Sequence, residues 1–526
     1  VSTASSQHRS AEDSGTTSVI MVFIGLMITM LLASMNQTVL STALPTIVGE
    51  LGGVDQMTWV ITSYILATTI AMPIFGQISD IFGRKPLLFF AIGLFVAGSL
   101  VGGLAQSIEW LIVSRTVQGI GGGGLIILSQ AAIADVVPAR QRGKYMGLMG
   151  AVFALSSVVG PLLGGWFTEG PGWRWAFWIN PPLGLVAVLA VAFFMRLPRH
   201  EHARYVKLDY VGMTVMATAT TCLVLVVTWG GHQYAWYAPT ILGLIGAVVV
   251  LVVAFIWIEA KATEPVIPLS LFKEPNFVLS SLASLMVGIA MFGALGYFPT
   301  YIQMVTGVNA TQAGLLMVPL MGFFLASSIV TGMLVSRTGR YKIFPLVGTI
   351  VIILGLVLMS ELRVDSPLWW LCTTLAIFGI GLGMSLQILT LIVQNAFPHS
   401  MVGTATASTN FFRQIGATTG SSVVGSLFVQ RLTAALQDRL PELLSGEVAG
   451  VDGDANSLTP EAVHQLPAHL QDAIVVSYND ALLPIYLFLT PLVAVAFIAL
   501  LFVRKTPLAT SVDHDQPAEV IHRTGG

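Results

Sequence analysis

Gly76-Gln77-Ile78-Ser79-Asp80-Ile81-Phe82-Gly83-Arg84-Lys85 ends one long apolar run and precedes the next. A short charged stretch between two such runs is a tight loop at a membrane surface. Gly76 is small enough to let two helices approach, Asp80 is an acceptor, Gly83 permits the turn, and Arg84 and Lys85 are cations. The same skeleton returns at Gly332-Met333-Leu334-Val335-Ser336-Arg337-Thr338-Gly339-Arg340. Both times the order is Gly, three residues, a polar residue, two residues, Gly-Arg. Two such loops in two halves of one apolar chain imply an internal repeat, the build of many secondary transporters.

The chain has 526 residues, 55% of them hydrophobic and 10% charged, with a mean hydropathy of +0.82. Soluble domains carry about 25% charged residues, so the class is an all-α integral membrane protein with many spans. The formal net charge of -2 gives no reason to expect nucleic acid. Cys222 and Cys372 both fall in apolar runs and read as small core residues rather than a disulfide pair. Residues 1–17 are polar and too poor in cations and apolar residues for a cleaved leader. No His-Glu-x-x-His, Gly-x-Ser-x-Gly or Gly-Lys-Ser/Thr stands in the chain. That argues against a metalloprotease, a serine hydrolase and an ATP-driven pump, so neither an enzyme nor a cofactor or metal is expected.

Fourteen spans are predicted: 18–45, 57–79, 86–105, 110–134, 145–167, 175–195, 209–230, 238–259, 277–303, 312–336, 343–360, 368–397, 403–429 and 481–503. Of the 24 Lys and Arg, Arg174, Arg363, Arg431 and Arg439 fall on one side and Arg115 and Arg413 inside spans. All the others fall on the opposite side. That bias predicts an even span number and cytoplasmic termini, 1–17 and 504–526; the expected location is the plasma (inner) membrane. Residues 430–479 form the longest loop, outside, with helix-like pieces at 432–440 and 460–473. Asp452-Gly453-Asp454-Ala455-Asn456 there resembles the start of a calcium loop. Ser457 replaces its turn glycine, however, and Val463 stands where the bidentate Glu belongs, so a solvated loop is expected.

Ser156-Ser157-Val158-Val159-Gly160 recurs as Ser421-Ser422-Val423-Val424-Gly425. Both echoes fit two six-helix bundles, 18–196 and 276–503, separated by two inserted helices in 209–260.

These motifs resemble the major facilitator superfamily, in its fourteen-helix drug:proton antiporter branch, over residues 18–503. Gly76–Lys85 is similar to that superfamily's cytoplasmic signature. Leu111-Ile112-Val113-Ser114-Arg115-Thr116-Val117-Gln118-Gly119-Ile120-Gly121 resembles its fourth-helix motif, with Arg115 as the buried cation. Gly147 through Gly160-Pro161-Leu162-Leu163-Gly164-Gly165 resembles the antiporter motif of the fifth helix, departing from it at Ser156. Trp173-Arg174-Trp175-Ala176-Phe177-Trp178-Ile179-Asn180-Pro181 resembles a hallmark of the fourteen-helix branch. One departure matters. The resemblance implies Asp in the first helix where this chain reads Ser34-Met35-Asn36-Gln37-Thr38.

An intramembrane Arg costs about 2.5–3.5 kcal/mol on insertion scales. Arg115 therefore reads as a proton-relay or substrate-site cation, with a structural cation as the alternative. Gln118, three residues on along the same helix face, favours the first. Arg413 reads equally as a cap or a cavity cation. Asn36, Gln37, Tyr64, Tyr297, Tyr301, Gln303, Gln387 and Asn410 complete the expected cavity lining, each open to the simpler reading of a helix–helix contact. Gly76, Asp80, Gly83, Arg84, Lys85, Asp135 and Arg142 form the expected cytoplasmic gate. Gly160, Pro161, Gly164 and Gly165 are expected to pack and bend the fifth span. Trp173, Trp175 and Trp178 read as interfacial anchors. No Asp or Glu falls mid-span. The expected activity is alternating-access export of lipophilic drugs by a monomer, with proton antiport implied by the resemblance. The alternative is export of a neutral lipid or metabolite, without coupling through Asn36. A non-transporting interaction protein is the reading from another class.

Overall fold

The computed structural model describes residues 2–51, 56–195, 208–231, 233–439, 463 and 466–508. Fourteen long helices run through them in chain order: α1 Ser2–Leu51, α2 Met57–Phe82, α3 Arg84–Gly103, α4 Ile108–Val136, α5 Ala139–Glu169, α6 Asn180–Phe194 and α7 Tyr210–Trp229. There follow α8 Pro239–Glu259, α9 Pro275–Leu295, α10 Val318–Thr338, α11 Ile343–Ser360, α12 Leu368–Ala396, α13 Val402–Arg439 and α14 Ala468–Leu501. Three of the expected spans are interrupted. A turn at Trp175–Trp178 precedes α6, Phe298–Thr306 follows α9 after a break at Gly296, and Ala310–Leu316 precedes α10. Proline near the start of α6, α8, α9 and α10 helps set these boundaries, since a first-turn residue needs no N–H partner.

Thirteen described helical segments are long and apolar enough to cross a membrane. The remaining helix, α13, is the polar exception. Thr404, Thr406, Ser408, Thr409 and Asn410 are all buried along it. It packs against α9, α2, α14, α12 and α7, so protein rather than lipid surrounds it. α8 is the opposite case: of its side chains only Ile241 and Glu259 are buried. α7 and α8 pack on each other, and α7 also leans on α13 and α2.

The expected 430–479 loop is shorter than that range. Residues 430–439 continue α13, and 468–479 are the first turns of α14. The calcium-like stretch 452–456 lies outside the described residues, as does the expected cationic loop 196–207.

The turn between α2 and α3 rests on Gly83, at φ 88°, and the turn ending α10 rests on Gly339, at φ 70°. L side chains rarely adopt such angles, which explains why both echo loops carry glycine there. We call this side of the molecule the Asp80 face and the other the Glu50 face.

Candidate functional site

Two helix crossings seal the Asp80 face, and the repeat builds both. A Cβ on Gly76 of α2 would collide with Ala407 and approach the Gly403 carbonyl of α13. In the other half a Cβ on Gly332 of α10 would strike the Gly143 carbonyl of α5. Each half thus sends its second helix against the fifth helix of the other half. This pairing also fixes the register of the repeat. Gly160 lies 17 residues after Gly143, and Gly420 lies 17 after Gly403. The Ser156–Gly160 and Ser421–Gly425 echo therefore links equivalent helices but is five residues out of register.

At the first crossing Asp80 caps α13. Its Oδ1 accepts from Gly403 N at 3.1 Å, and its Oδ2 accepts from Thr404 N and Thr404 Oγ1, each at 2.7 Å. A carboxylate at a helix N-terminus meets free N–H groups and the positive end of the dipole. Arg84 Nη1 pairs with Asp80 Oδ1 at 2.6 Å, and Arg84 Nε lies 3.3 Å from Asp135 Oδ2. His399 Nε2 lies 3.2 Å from the other oxygen of Asp135.

Two expected gate residues act differently. Arg142 donates to the carbonyls of Val137 and Ala134, both at 2.8 Å, rather than to Asp135. Lys85 donates to Ala192 O and Met195 O at the end of α6. Both are therefore helix C-terminal caps. At the second crossing Ser336 stands in the place of Asp80. It accepts from Lys144 N at 3.2 Å, and Arg140 reaches the carbonyls of Ser336 and Arg337.

On the Glu50 side of these crossings a cavity of about 410 Å³ lies between the halves. α1, α2 and α5 supply Gln37, Ser41, Tyr64 and Phe153, and α9 supplies Met291 and Phe292. Gln37 and Ser41 are exposed although they sit inside the bundle, so the cavity opens toward the Glu50 face. A smaller compartment of about 110 Å³ continues toward the Asp80 face, reaching Gln130, Gln387, Arg413 and Gln414.

Arg115 lines the larger compartment from α4. Its guanidinium carbon lies 3.9 Å from the centre of the Tyr64 ring. Its Nη1 donates to Asn36 Oδ1 at 2.6 Å and to Gln118 Oε1 at 2.9 Å, and Gln118 donates onward to Ser99 at 2.7 Å. Asn36 and Gln118 do not line either compartment; they stand behind Arg115 and hold it.

Arg413 lines the smaller compartment and donates to Asn410. Asn410 in turn donates to Gln130 Oε1 at 2.9 Å, and Gln394 donates to Gln130 O at 3.3 Å and Thr406 Oγ1 at 3.2 Å. Gln130 is on α4, Gln394 on α12 and Asn410 on α13, so this network ties the halves below the cavity.

The other expected lining residues go elsewhere. Tyr301 donates to Asn479 Oδ1 at 2.9 Å and packs on Phe298, and Tyr297 packs on Phe428. Gln303 bonds the Pro299 carbonyl of its own helix. The break at Gly296 swings these three away from the cavity into the packing of the second half. Sequence reasoning missed Gln130, Gln394, Gln414, Ser34 and Phe153. Their one available signal was polarity or bulk inside an apolar run.

In the fifth-helix motif Gly160 and Gly164 are contact points. A Cβ on Gly160 would strike Thr38, and one on Gly164 would strike the Val39 carbonyl. Gly165 has open space, and Pro161 is exposed in a helix that runs on through it. At the Glu50 face Trp173 is buried rather than interfacial, donating to Glu50 Oε2 at 2.8 Å. Arg174 pairs with Glu50 Oε1 at 2.6 Å and stacks over Trp173. These two bonds, the guanidinium first, hold the Glu50 carboxyl below its usual range.

The sequence profile of the Major Facilitator Superfamily matches residues 26–421. An uncharacterized MFS-type transporter of Mycobacterium tuberculosis is 39% identical, over 93% of this chain and 70% of its own length. The multidrug transporter protein MdtP of Bacillus subtilis is 33% identical, over 94% of this chain and 95% of its own. Among solved structures, the proton:xylose symporter XylE superposes with a TM-score of 0.61 at 14% identity, over 94% of this chain and 97% of that one. At that identity the likeness is one of fold alone.

Proposed function

The chain belongs to the Major Facilitator Superfamily, and from that premise we propose that it exports lipophilic small molecules by alternating access. The observation that carries the proposal is the cavity of about 410 Å³ between the halves, walled largely by apolar side chains and sealed at one end by two glycine crossings. The name of the Bacillus relative supports the same direction.

The cation bias supports a cytoplasmic Asp80 face, and in this reading the membrane is the plasma membrane. The described conformation is then outward-open. Loading from the cytoplasm requires α2 to part from α13 and α10 from α5. The Asp80 cap breaks in that step and re-forms when the outside opens again. Asn36 cannot titrate, and its amide oxygen occupies Arg115 where a carboxylate would sit. Proton coupling through the first helix is therefore absent from this reading, and the protein works as a monomer within the bilayer.

Counterflow in proteoliposomes tests it. Lumenal unlabelled dye should accelerate uptake of the same labelled dye, and Gly332→Val should abolish the effect. Equal rates with and without lumenal dye would overturn export by this cavity.

A further inference from the structure

The cavity wall carries fixed positive charge at two levels and, among the described residues, no negative charge. Arg115 lines the larger compartment and Arg413 the smaller. Tyr64 is the one other titratable side chain on either wall. Beyond the wall, Asp80 and Asp135 are engaged by Arg84 at one face and Glu50 by Arg174 at the other. Glu109 sits in the first turn of α4, at its Glu50-face end.

Arg115 is 2% exposed, yet besides the Tyr64 ring its partners are two amide oxygens, both on Nη1. Its Nε, itself buried, makes no hydrogen bond. A buried guanidinium with neutral partners and a free N–H is the half of an ion pair that lacks its acid. The Nδ2 of Asn36, behind Arg115, is likewise buried without an acceptor, and that side chain brings no charge to the guanidinium.

Resting on the export reading, we propose that the substrate is an amphipathic organic anion. Its carboxylate, sulfonate or phosphate oxygens pair with the guanidinium of Arg115, the cation on the wall of the larger compartment. Its apolar body lies against Phe153, Met291 and Phe292, which line both compartments. A cation of the same shape meets two guanidiniums and no counter-charge, so it is rejected.

The driving force follows from the charge. An anion leaving a cell whose interior is negative moves down the electrical gradient, and no titrating carboxylate is needed. At 100 mV, about 2.3 kcal/mol per charge, a monoanion reaches roughly a fifty-fold concentration ratio.

The test uses two dyes with one xanthene frame: fluorescein, anionic at neutral pH, and the cationic methyl ester of rhodamine. Purified full-length protein in liposomes is given a potassium diffusion potential and no pH gradient. Fluorescein flux should follow the sign of the potential, and the rhodamine ester should not be carried. Arg115→Gln should lower fluorescein flux by about ten- to a hundred-fold, the scale of a charged hydrogen bond, and Arg115→Lys should recover part of it. Asn36→Asp, which neutralises Arg115 without removing it, should lower fluorescein flux as well, guarding against a misfolded Arg115 variant. Carriage of the rhodamine ester with no fluorescein flux overturns the anion assignment and leaves export standing. Carriage of neither dye, by folded protein, overturns export and the anion assignment together.

Discussion

Asp80 Oδ2 receives two hydrogen bonds from the single residue Thr404, one from its backbone N and one from its Oγ1, each at 2.7 Å. Asp80 belongs to the first half of the molecule and Thr404 to the second. The bond pair is thus a measure of whether this face is shut.

Asp80→Asn keeps the shape but loses the charge at the α13 N-terminus. Charged hydrogen bonds contribute about 1.5–3 kcal/mol, enough to shift a two-state population by roughly ten-fold or more. Spin labels at Phe82 and Arg340, one on each half, should show a longer distance component in the variant. An identical distance distribution together with unchanged transport would reduce Asp80 to a turn residue.

Size at the crossings should matter by position. Gly332→Val drives a side chain into the Gly143 backbone, so it should hold the Asp80 face open and stop turnover while the protein still inserts. Gly165→Ala meets nothing within 4 Å and should transport normally. Loss of transport in Gly165→Ala would mean that the space beside it closes during the cycle.

Asn36→Asp would place a carboxylate where an amide oxygen now lies 2.6 Å from Arg115. Of all single changes this one should create proton coupling. In liposomes with an imposed pH gradient and no potential, the fluorescein flux that remains in the variant should respond to the gradient, whereas that of the parent chain should not. If the parent already does so, another group carries the proton, and Asp480 and Glu361 are the next to remove.

Acid should loosen the Glu50 face. The folded-state pKa of Glu50 lies below its ordinary value of about 4.3. Its contribution is therefore complete above that ordinary value and is lost as pH falls through the lowered one. Both partners are partly exposed, so the contribution is no more than about 1 kcal/mol. Glu50→Gln should remove this segment of the acid dependence of thermal unfolding. The same acid profile in the variant would assign it to other carboxylates.

The repeat, the helix count and the loop at the Asp80 crossing were legible because their signal is linear. Gly76 to Arg84 and Gly332 to Arg340 share a spacing that survives in one dimension. Arg115 and Gln118 were legible as a pair because three residues along a helix share a face. The polar tie below the cavity was not, because Gln130, Gln394 and Asn410 come from three helices. Helices apolar all round carry little record of which face turns inward, so Tyr297 and Tyr301 could not be placed before the break at Gly296 was seen. Arg142 and Lys85 looked like members of a charge network because cations draw the eye to carboxylates. Their partners are carbonyl oxygens, which every residue has and no sequence displays.

The polarity of α13 bears on how the protein is made. A helix that buries Thr404, Thr406, Ser408, Thr409 and Asn410 gains little from lipid by itself. The helices α2, α7, α9 and α12, against which it packs, all precede it in the chain. Biosynthesis therefore delivers α13 to partners already standing in the bilayer, and they, rather than the hydrocarbon, receive it. A chain permuted so that α13 is translated first should leave that segment on the wrong side of the membrane, a misplacement that a glycosylation site engineered at its end would report.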